Sequence, residues 1–175
     1  MPRPRSSLKR PLRDAHEAEA VLEAARGLSP AHHEVVLLLL ATGIEVKALA
    51  RVTWREVLPD ALLWRRPRGR GDLHIPLSDP EVARAAASFA DRPRRSSDQL
   101  DRLVRAAFRA THNPALAGGS PMTLRLTCCA AELRRGARVE EAARALSLPP
   151  ALVRALAADL GLGGPAPRAS AREEE

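Results

Sequence analysis

The stretch LLLLATGIEVKALARVTWREV (37–57) passes from a helical pattern to an extended one. The residues Val35 to Leu40 are apolar on all sides, and such a run predicts a helix that is buried over most of its surface. Gly43 follows this run, and a short helix is expected over 46–51. The segment Thr53–Val57 is typical of a strand. The stretch therefore predicts a helical protein that carries a small sheet.

Three short extended segments follow the buried helix along the chain. They are Thr53–Val57, Leu62–Arg66 and Asp72–Pro76, separated by Pro59-Asp60 and by the segment PRGRG (67–71). Turn-forming residues between short apolar runs predict antiparallel hairpins. We expect a three-stranded antiparallel sheet with one hairpin whose tip carries arginine.

Helix signals lie on both sides of this predicted sheet. Capping boxes begin two helices and serine–proline pairs begin two more. These start signals are Asp14 with Glu17, Ser78 with Glu81, Ser29-Pro30 and Ser120-Pro121. The predicted fold class is mainly α with a small three-stranded antiparallel sheet. It occupies residues 14–162, between a basic flexible arm (1–13) and a disordered tail (163–175).

The positive charge of the chain is concentrated in two places. The formal net charge is +7, with 28 Lys and Arg against 21 Asp and Glu. One concentration is the arm and the other is the predicted hairpin, and local basic patches favour contact with phosphates. The candidate DNA-binding residues there are Arg3, Arg5, Lys9, Arg10, Arg13, Arg65, Arg66, Arg68 and Arg70. The alternative that stays open is a solvated tail and loop, rich in arginine because of a GC-rich coding sequence.

Composition excludes several classes of function. The sequence contains no tyrosine, so a mechanism that needs a phenol is excluded. The longest apolar run, Val35 to Ala41, is too short to span a membrane. The adjacent Cys128 and Cys129 predict no disulfide framework and fit a reducing cytoplasm. The histidines are scattered, so no metal site is predicted. The sequence contains no phosphate-binding glycine motif, so no cofactor is predicted.

Two stretches and the hairpin between them occur in a recognisable order. The segment 37–57 contains a buried helix followed by Thr-Gly and a later tryptophan, and PMTLRLTCCAAELRRGARVEEAARALSL (121–148) contains Leu-Arg followed by Arg-Gly. Between them, IPL (75–77) ends the predicted hairpin. Together they resemble the catalytic domain of the tyrosine recombinases, or phage integrases. The resemblance covers residues 12–157 and implies the fold of that DNA breaking-rejoining domain.

The resemblance implies that most catalytic positions are replaced. The family's first catalytic arginine falls on Glu45, and its second is retained as Arg125. The family's hairpin lysine, two histidine positions and tyrosine nucleophile fall on Arg68 (or Arg70 after a small slip), Met122, Leu148 and Ala157. Cleavage of this kind needs a phenolic nucleophile and arginines that neutralise the developing charge. The chain is therefore expected to be a catalytically inactive relative.

Two functions follow from the resemblance. The first is a non-catalytic DNA-binding protein that contacts duplex phosphates through Arg125, the hairpin tip and the arm, located in the cytoplasm with the nucleoid. Two roles stay open for Arg125, as a phosphate ligand or as the buried ion-pair partner of Glu45. The second function is an interaction module that forms a homo-oligomer or joins an active recombinase. It would use the apolar side of the C-terminal helix, residues 151–160.

Overall fold

The computed structural model describes residues 10–66 and 71–162, and the chain divides into two compact units, residues 1–129 and 130–175. The elements are α1 (Ala15–Leu28), α2 (Pro30–Thr42), α3 (Val46–Leu49), a 3₁₀-helix (Trp54–Glu56), β1 (Ala61–Arg65), β2 (Asp72–Pro76), α4 (Pro80–Asp91), α5 (Ser97–Ala110), α6 (Pro121–Arg134), α7 (Val139–Ala145) and α8 (Pro150–Asp159). Most of the predicted arm (1–9) and the predicted tail (163–175) lie outside the described residues.

The helix starts follow the local signals of the sequence. The Asp14 side chain accepts a hydrogen bond from the Glu17 backbone N–H at 2.9 Å, and Ser29 caps α2 with Pro30 as its first residue. The predicted cap at Ser78 is displaced by one residue, because Asp79 accepts from the Glu81 N–H at 2.7 Å. Pro80 opens α4, which makes the residue immediately before it the cap.

The sheet has two strands, so the predicted third strand is wrong. β1 and β2 pair antiparallel, with Leu63 opposite His74. The residues of the predicted first strand form the 3₁₀-helix instead, because the Glu56 carboxylate accepts hydrogen bonds from the Thr53 N–H at 3.0 Å and hydroxyl at 3.2 Å. This local cap holds the backbone in a turn, whereas a strand needs an extended backbone. Val57 still makes an isolated antiparallel bridge to Leu62.

The core of the first unit lies around α2, which contacts α1, α4 and α5. Its side chains Val35, Val36 and Leu39 are fully buried, as the apolar run predicts. The sheet adds Trp64 from the inner face of β1. Burial of apolar surface stabilises the fold by about 25 cal/mol per Å², so this central helix anchors the unit.

One buried carboxylate joins α2 to the end of α4. Glu34 accepts two hydrogen bonds from the Arg92 guanidinium, both at 2.8 Å, and one from the Ser88 hydroxyl at 2.8 Å. These bonds to Glu34 raise the pKa of Arg92. A buried charge is tolerated only when it is paired in this way.

The start of α6 is fixed by a close backbone approach and by a hydrogen bond. A Cβ atom at Gly119 would lie 2.1 Å from Cδ1 of the buried Phe108 on α5, so only glycine fits there. The Thr127 hydroxyl accepts a hydrogen bond from the Leu12 N–H at 2.9 Å. Both contacts position the helix that carries Arg125.

The second unit contains α7 and α8, which contact each other. Ala142, Ala143, Val153 and Leu156 are buried there. Ser147 lies between the two helices with φ 51, in the left-handed region that favours glycine. Its hydroxyl is buried and has no hydrogen-bond partner among the described residues.

Candidate nucleic-acid interface

The starts of α3, α5 and α6 enclose a cavity of about 380 Å³, which we call the Arg125 cavity. Its lining consists of Glu45, Val46, Lys47, Ser97, Asp98, Asp101, Pro121, Met122 and Arg125. All of these residues belong to the first unit. The cavity therefore brings together three of the residues singled out from the sequence, Glu45, Met122 and Arg125.

Arg125 is engaged by groups of the protein itself. Its side chain is 7% exposed, its Nε donates to the Gly43 carbonyl oxygen at 3.0 Å, and its Nη2 lies 3.8 Å from Glu45 Oε1. Burial lowers the pKa of Arg125, and the neighbouring Glu45 opposes that effect by favouring the charged form. The guanidinium thus already has an anionic partner and a carbonyl acceptor.

Carboxylates outnumber cations around the Arg125 cavity. Asp98 and Asp101 come from the first turns of α5, and Glu45 immediately precedes α3. The cations in the lining are Lys47 and Arg125, and Asp101 is also bound by Arg105 Nε at 2.6 Å. Because carboxylates repel an anion, this lining disfavours a phosphate.

A second cavity of about 520 Å³ lies between α3, the 3₁₀-helix and β1, and we call it the α3–β1 cavity. Its lining consists of Ile44, Glu45, Lys47, Ala48, Arg51, Val52, Glu56, Leu63, Trp64 and Arg65. Apolar side chains contribute much of its wall, and three cations are Lys47, Arg51 and Arg65. Here cations outnumber the two carboxylates.

The cations of the α3–β1 cavity differ in their partners. Arg65 Nε lies 3.1 Å from Glu56 Oε1, so its charge is shared. Lys47 and Arg51 are exposed, and no ion pair joins either of them to a carboxylate in the described ranges 10–66 and 71–162. They are four residues apart, which places them about one helical turn from each other. These two side chains are open to an anionic ligand.

Solved structures show the same arrangement of elements. The XerA recombinase superposes with a TM-score of 0.68 over 89% of this chain at 19% identity. The chain has a tyrosine recombinase-like fold. A lambda integrase (75–356) dimer bound to a COC′ core site gives 0.68 over 93% at 15% identity. The Tn1549 transposon integrase (aa 82–397) in complex with circular intermediate DNA gives 0.65 over 87% at 15% identity.

The chain spans 61%, 64% and 63% of the lengths of these three recombinase and integrase chains. No protein-family model matches the sequence, and no curated protein does. At these identities the likeness defines the fold, which is the one that the motifs in 37–57 and 121–148 indicate. The residues of the site must be argued from their own geometry.

Three further residues were matched to catalytic positions only through the sequence resemblance: Met122, Leu148 and Ala157. Leu148 and Ala157 are buried in the second unit, at 5% and 3% exposure. Met122 is exposed at the rim of the Arg125 cavity. A thioether, an isobutyl group and a methyl group neither donate a proton nor attack phosphorus.

The described basic candidates are engaged locally. The Arg10 guanidinium donates to both Glu17 carboxylate oxygens at 2.9 and 3.0 Å, and Arg13 Nε lies 3.8 Å from Glu17 Oε1. Arg66 Nε donates to the Gly71 carbonyl oxygen at 3.1 Å across the base of the hairpin loop. The candidates Arg3, Arg5, Lys9, Arg68 and Arg70 lie outside the described residues.

Two further residues, Lys47 and Arg51, belong to the candidate interface and were not predicted from the sequence. A signal was present, because the segment KALAR (47–51) places the two cations at i and i+4 around an apolar residue that proves to be buried, Leu49. The arm and the hairpin segment each contain more cations than this pair, so the sequence pattern favours them instead.

No group of three His, Cys, Asp or Glu residues that could hold a metal ion occurs in the part of the chain that the structure describes. Among the described helices, none is long and apolar enough to cross a membrane.

On α8, Val153 and Leu156 are buried, whereas Leu152 is 36% exposed. The apolar side proposed for self-assembly is thus used mainly within the chain.

Proposed function

We propose that this protein binds duplex DNA through phosphate contacts and does not cut it. The observation that carries the proposal is the α3–β1 cavity, where Lys47, Arg51 and Arg65 meet. The sequence candidates Arg68 and Arg70 lie outside the described residues, and the proposal therefore rests on the cations of the cavity itself. Guanidinium and ammonium groups grouped on one concave surface are the usual means of gripping a phosphate backbone.

The similar structures support a DNA partner. The lambda integrase dimer is bound to a core site, and the Tn1549 integrase is in complex with circular intermediate DNA. Their fold carries over to this chain at 15% identity, and we extend the DNA partner to it as part of the proposal. The formal charge of +7 agrees with a polyanionic ligand.

The absence of strand cleavage rests on the chemistry of the replaced side chains. The sequence has no phenol, and the position that matches the family's nucleophile is Ala157. Removal of a single catalytic hydrogen-bond donor typically costs about 10²–10³ in rate, and here several groups are absent together. In this proposal Arg125 is a structural ion-pair partner of Glu45 rather than a phosphate ligand.

The test is a fluorescence-anisotropy titration of labelled duplex DNA at about 50 mM and about 200 mM salt. We expect binding that weakens about tenfold or more over this range, because each phosphate contact releases condensed counterions. A parallel incubation with a nicked suicide duplex should give no covalent protein–DNA adduct on a denaturing gel. Absence of binding at the lower salt would remove the proposal, and an adduct would contradict its non-catalytic part.

The interaction-module function has a narrower basis. Leu152 on α8 and Leu162 beyond it are 36% and 45% exposed, and exposed apolar side chains of this kind suit a protein partner. Light scattering without DNA tests the self-assembling form of this function, because a homo-oligomer has a mass above that of one chain. A monomeric mass together with salt-sensitive DNA binding supports the first proposal alone.

A further inference from the structure

The protein exposes one of its few aromatic side chains. The sequence holds two Trp, two Phe and no Tyr. Trp64 and Phe108 are buried, Phe89 packs against the core, and Trp54 is 64% exposed. An indole exposed to water lacks the stabilisation that its burial would give. Its position on the surface therefore favours a role in binding.

Trp54 is held by a neighbouring cation. The guanidinium carbon of Arg55 lies 5.2 Å from the centroid of the indole ring, which is the distance of a cation–π contact. Arg55 is itself exposed. The pair therefore presents a largely exposed aromatic side chain beside a positive charge.

The Trp54–Arg55 pair adjoins the α3–β1 cavity. Val52, two residues before Trp54, and Glu56, directly after Arg55, both line that cavity. Lys47 and Arg51 line it as well, and both are exposed. An aromatic side chain that contacts one cation, in a segment that carries two more, matches the chemistry of a nucleic acid, which offers flat bases and negative phosphates at the same time.

A protein partner is the competing occupant, because tryptophan and arginine are also frequent at the centres of protein interfaces. The local charge decides between the two. Lys47 and Arg51 have no ion-pair partner within the described ranges, and Arg55 adds a third cation in the same short segment. Lysine is depleted at the centres of protein interfaces, whereas a phosphate backbone requires several cations, so Lys47 together with the two arginines favours nucleic acid.

We infer that Trp54 stacks on an unpaired base, so that the protein prefers DNA with exposed bases, such as a gapped duplex, to intact duplex. This inference rests on the proposed DNA binding. In an intact duplex each base face is covered by its neighbours, and an indole ring reaches only edges and sugar. At a gap the base faces are open, and stacking on them does not depend on sequence.

The experiment compares a labelled intact duplex with the same duplex carrying a gap of a few nucleotides, at one salt concentration. We expect the wild-type protein to bind the gapped DNA about tenfold more tightly, which is the size of effect that loss of one base–aromatic stack produces. Trp54→Ala should remove this preference and leave the affinity for intact duplex within about twofold. Trp54→Phe should retain part of it, because a smaller ring still stacks.

Two controls accompany these variants. Leu28→Ala removes another exposed apolar side chain, 45% exposed on α1, and should leave the preference unchanged. Intrinsic tryptophan emission should be quenched by gapped DNA in the wild-type protein and much less in Trp54→Phe, where only the buried Trp64 remains. Both results would tie the preference to the indole of Trp54 rather than to exposed apolar surface in general.

The failures of the two proposals can be told apart. If Trp54→Ala changes the affinities for gapped and intact DNA equally, or changes neither, base stacking is wrong while DNA binding stands. If the wild-type protein binds neither DNA, the proposed function fails and the inference with it. If Trp54→Ala instead lowers the mass of a self-associated species in light scattering and the DNA preference persists, the surface faces protein and the inference is overturned.

Discussion

The two cavities of the first unit share Glu45 and Lys47 and yet differ in charge. In the Arg125 cavity the arginine is buried beside Glu45, and Asp98 and Asp101 add two more carboxylates. In the α3–β1 cavity the exposed cations Lys47 and Arg51 face the solvent. This difference shows that an arginine in a cavity does not by itself make an anion site. What matters is whether the protein has already supplied its counter-ion.

The largest expected effect concerns Arg125. Arg125→Met should lower the free energy of unfolding by about 2 kcal/mol, because it leaves the buried Gly43 carbonyl without its hydrogen bond from Arg125 and removes the ion pair with the partly exposed Glu45. Duplex affinity of the folded variant should stay within about twofold of the wild type. Urea unfolding followed by circular dichroism measures the first quantity, and DNA anisotropy measures the second. The exposed Arg109→Met serves as the control.

A stable Arg125→Met variant that no longer binds DNA would reverse the comparison between the cavities. It would show that the guanidinium is available to phosphate in spite of Glu45. The control variant should be unaffected in both assays, since Arg109 lies on an exposed face of α5.

The next effect concerns the α3–β1 cavity. Lys47→Ala combined with Arg51→Ala should weaken duplex binding about tenfold and make the salt dependence shallower by about two units of slope, because two phosphate contacts are lost. Anisotropy at several salt concentrations gives both values. The charge-matched control is Arg84→Ala with Arg102→Ala, two exposed positions that line neither cavity. Equal losses in both double variants would mean that binding follows net charge alone.

A smaller gain is expected when the carboxylate common to both cavities is removed. Glu45→Gln should strengthen duplex binding about threefold, since a negative charge next to the bound phosphates disappears. It should also destabilise the fold slightly, because the buried Arg125 loses its counter-ion. Glu19→Gln removes an equal charge from an exposed position of α1 and should leave affinity nearly unchanged. An affinity of Glu45→Gln equal to that of the wild type would place the bound DNA away from both cavities.

The smallest effect concerns an ion pair outside both cavities, which provides a reference for the Arg125–Glu45 pair. Hydrogen bonds from Arg10 hold the pKa of Glu17 below its ordinary value. Because the pKa of Glu17 is lower in the folded state, its ionisation stabilises the protein at pH values above the unfolded pKa of about 4.3. This stabilisation is lost as the pH falls through the folded-state pKa. Arg10→Ala should therefore cost about 0.5 kcal/mol near pH 7 and less near pH 2.5. Urea unfolding at both pH values measures it, and an equal cost at both would contradict an electrostatic origin.

Local signals in the sequence predicted the helices well, because a cap depends on neighbouring residues. Asp14 with Glu17 and Ser29 with Pro30 act where the pattern places them. The strand over Thr53–Val57 was predicted wrongly for the same physical reason. The cap between Thr53 and Glu56 is also a local interaction, and it prevails over the extended pattern of the apolar residues.

The candidate site was less predictable, because it depends on which helix starts meet in space. The sequence identified Arg125 and Glu45 through the resemblance and left two roles open for the arginine. Asp98 and Asp101 belong to the first turns of α5, where acidic residues are favoured by the helix dipole and give no sign of a cavity. Only the tertiary contact of α3 with α5 makes them neighbours of Glu45.

Position 147 shows how a main-chain path can require a conformation that its own side chain does not favour. Ser147 has φ 51, where glycine would be the unstrained residue. The hydrogen bond from the Leu148 N–H to the Ala143 carbonyl at 2.9 Å closes this turn. A left-handed conformation costs a non-glycine residue roughly 1–2 kcal/mol. The contact between α7 and α8 on either side of this turn thus outweighs the conformational preference of the serine.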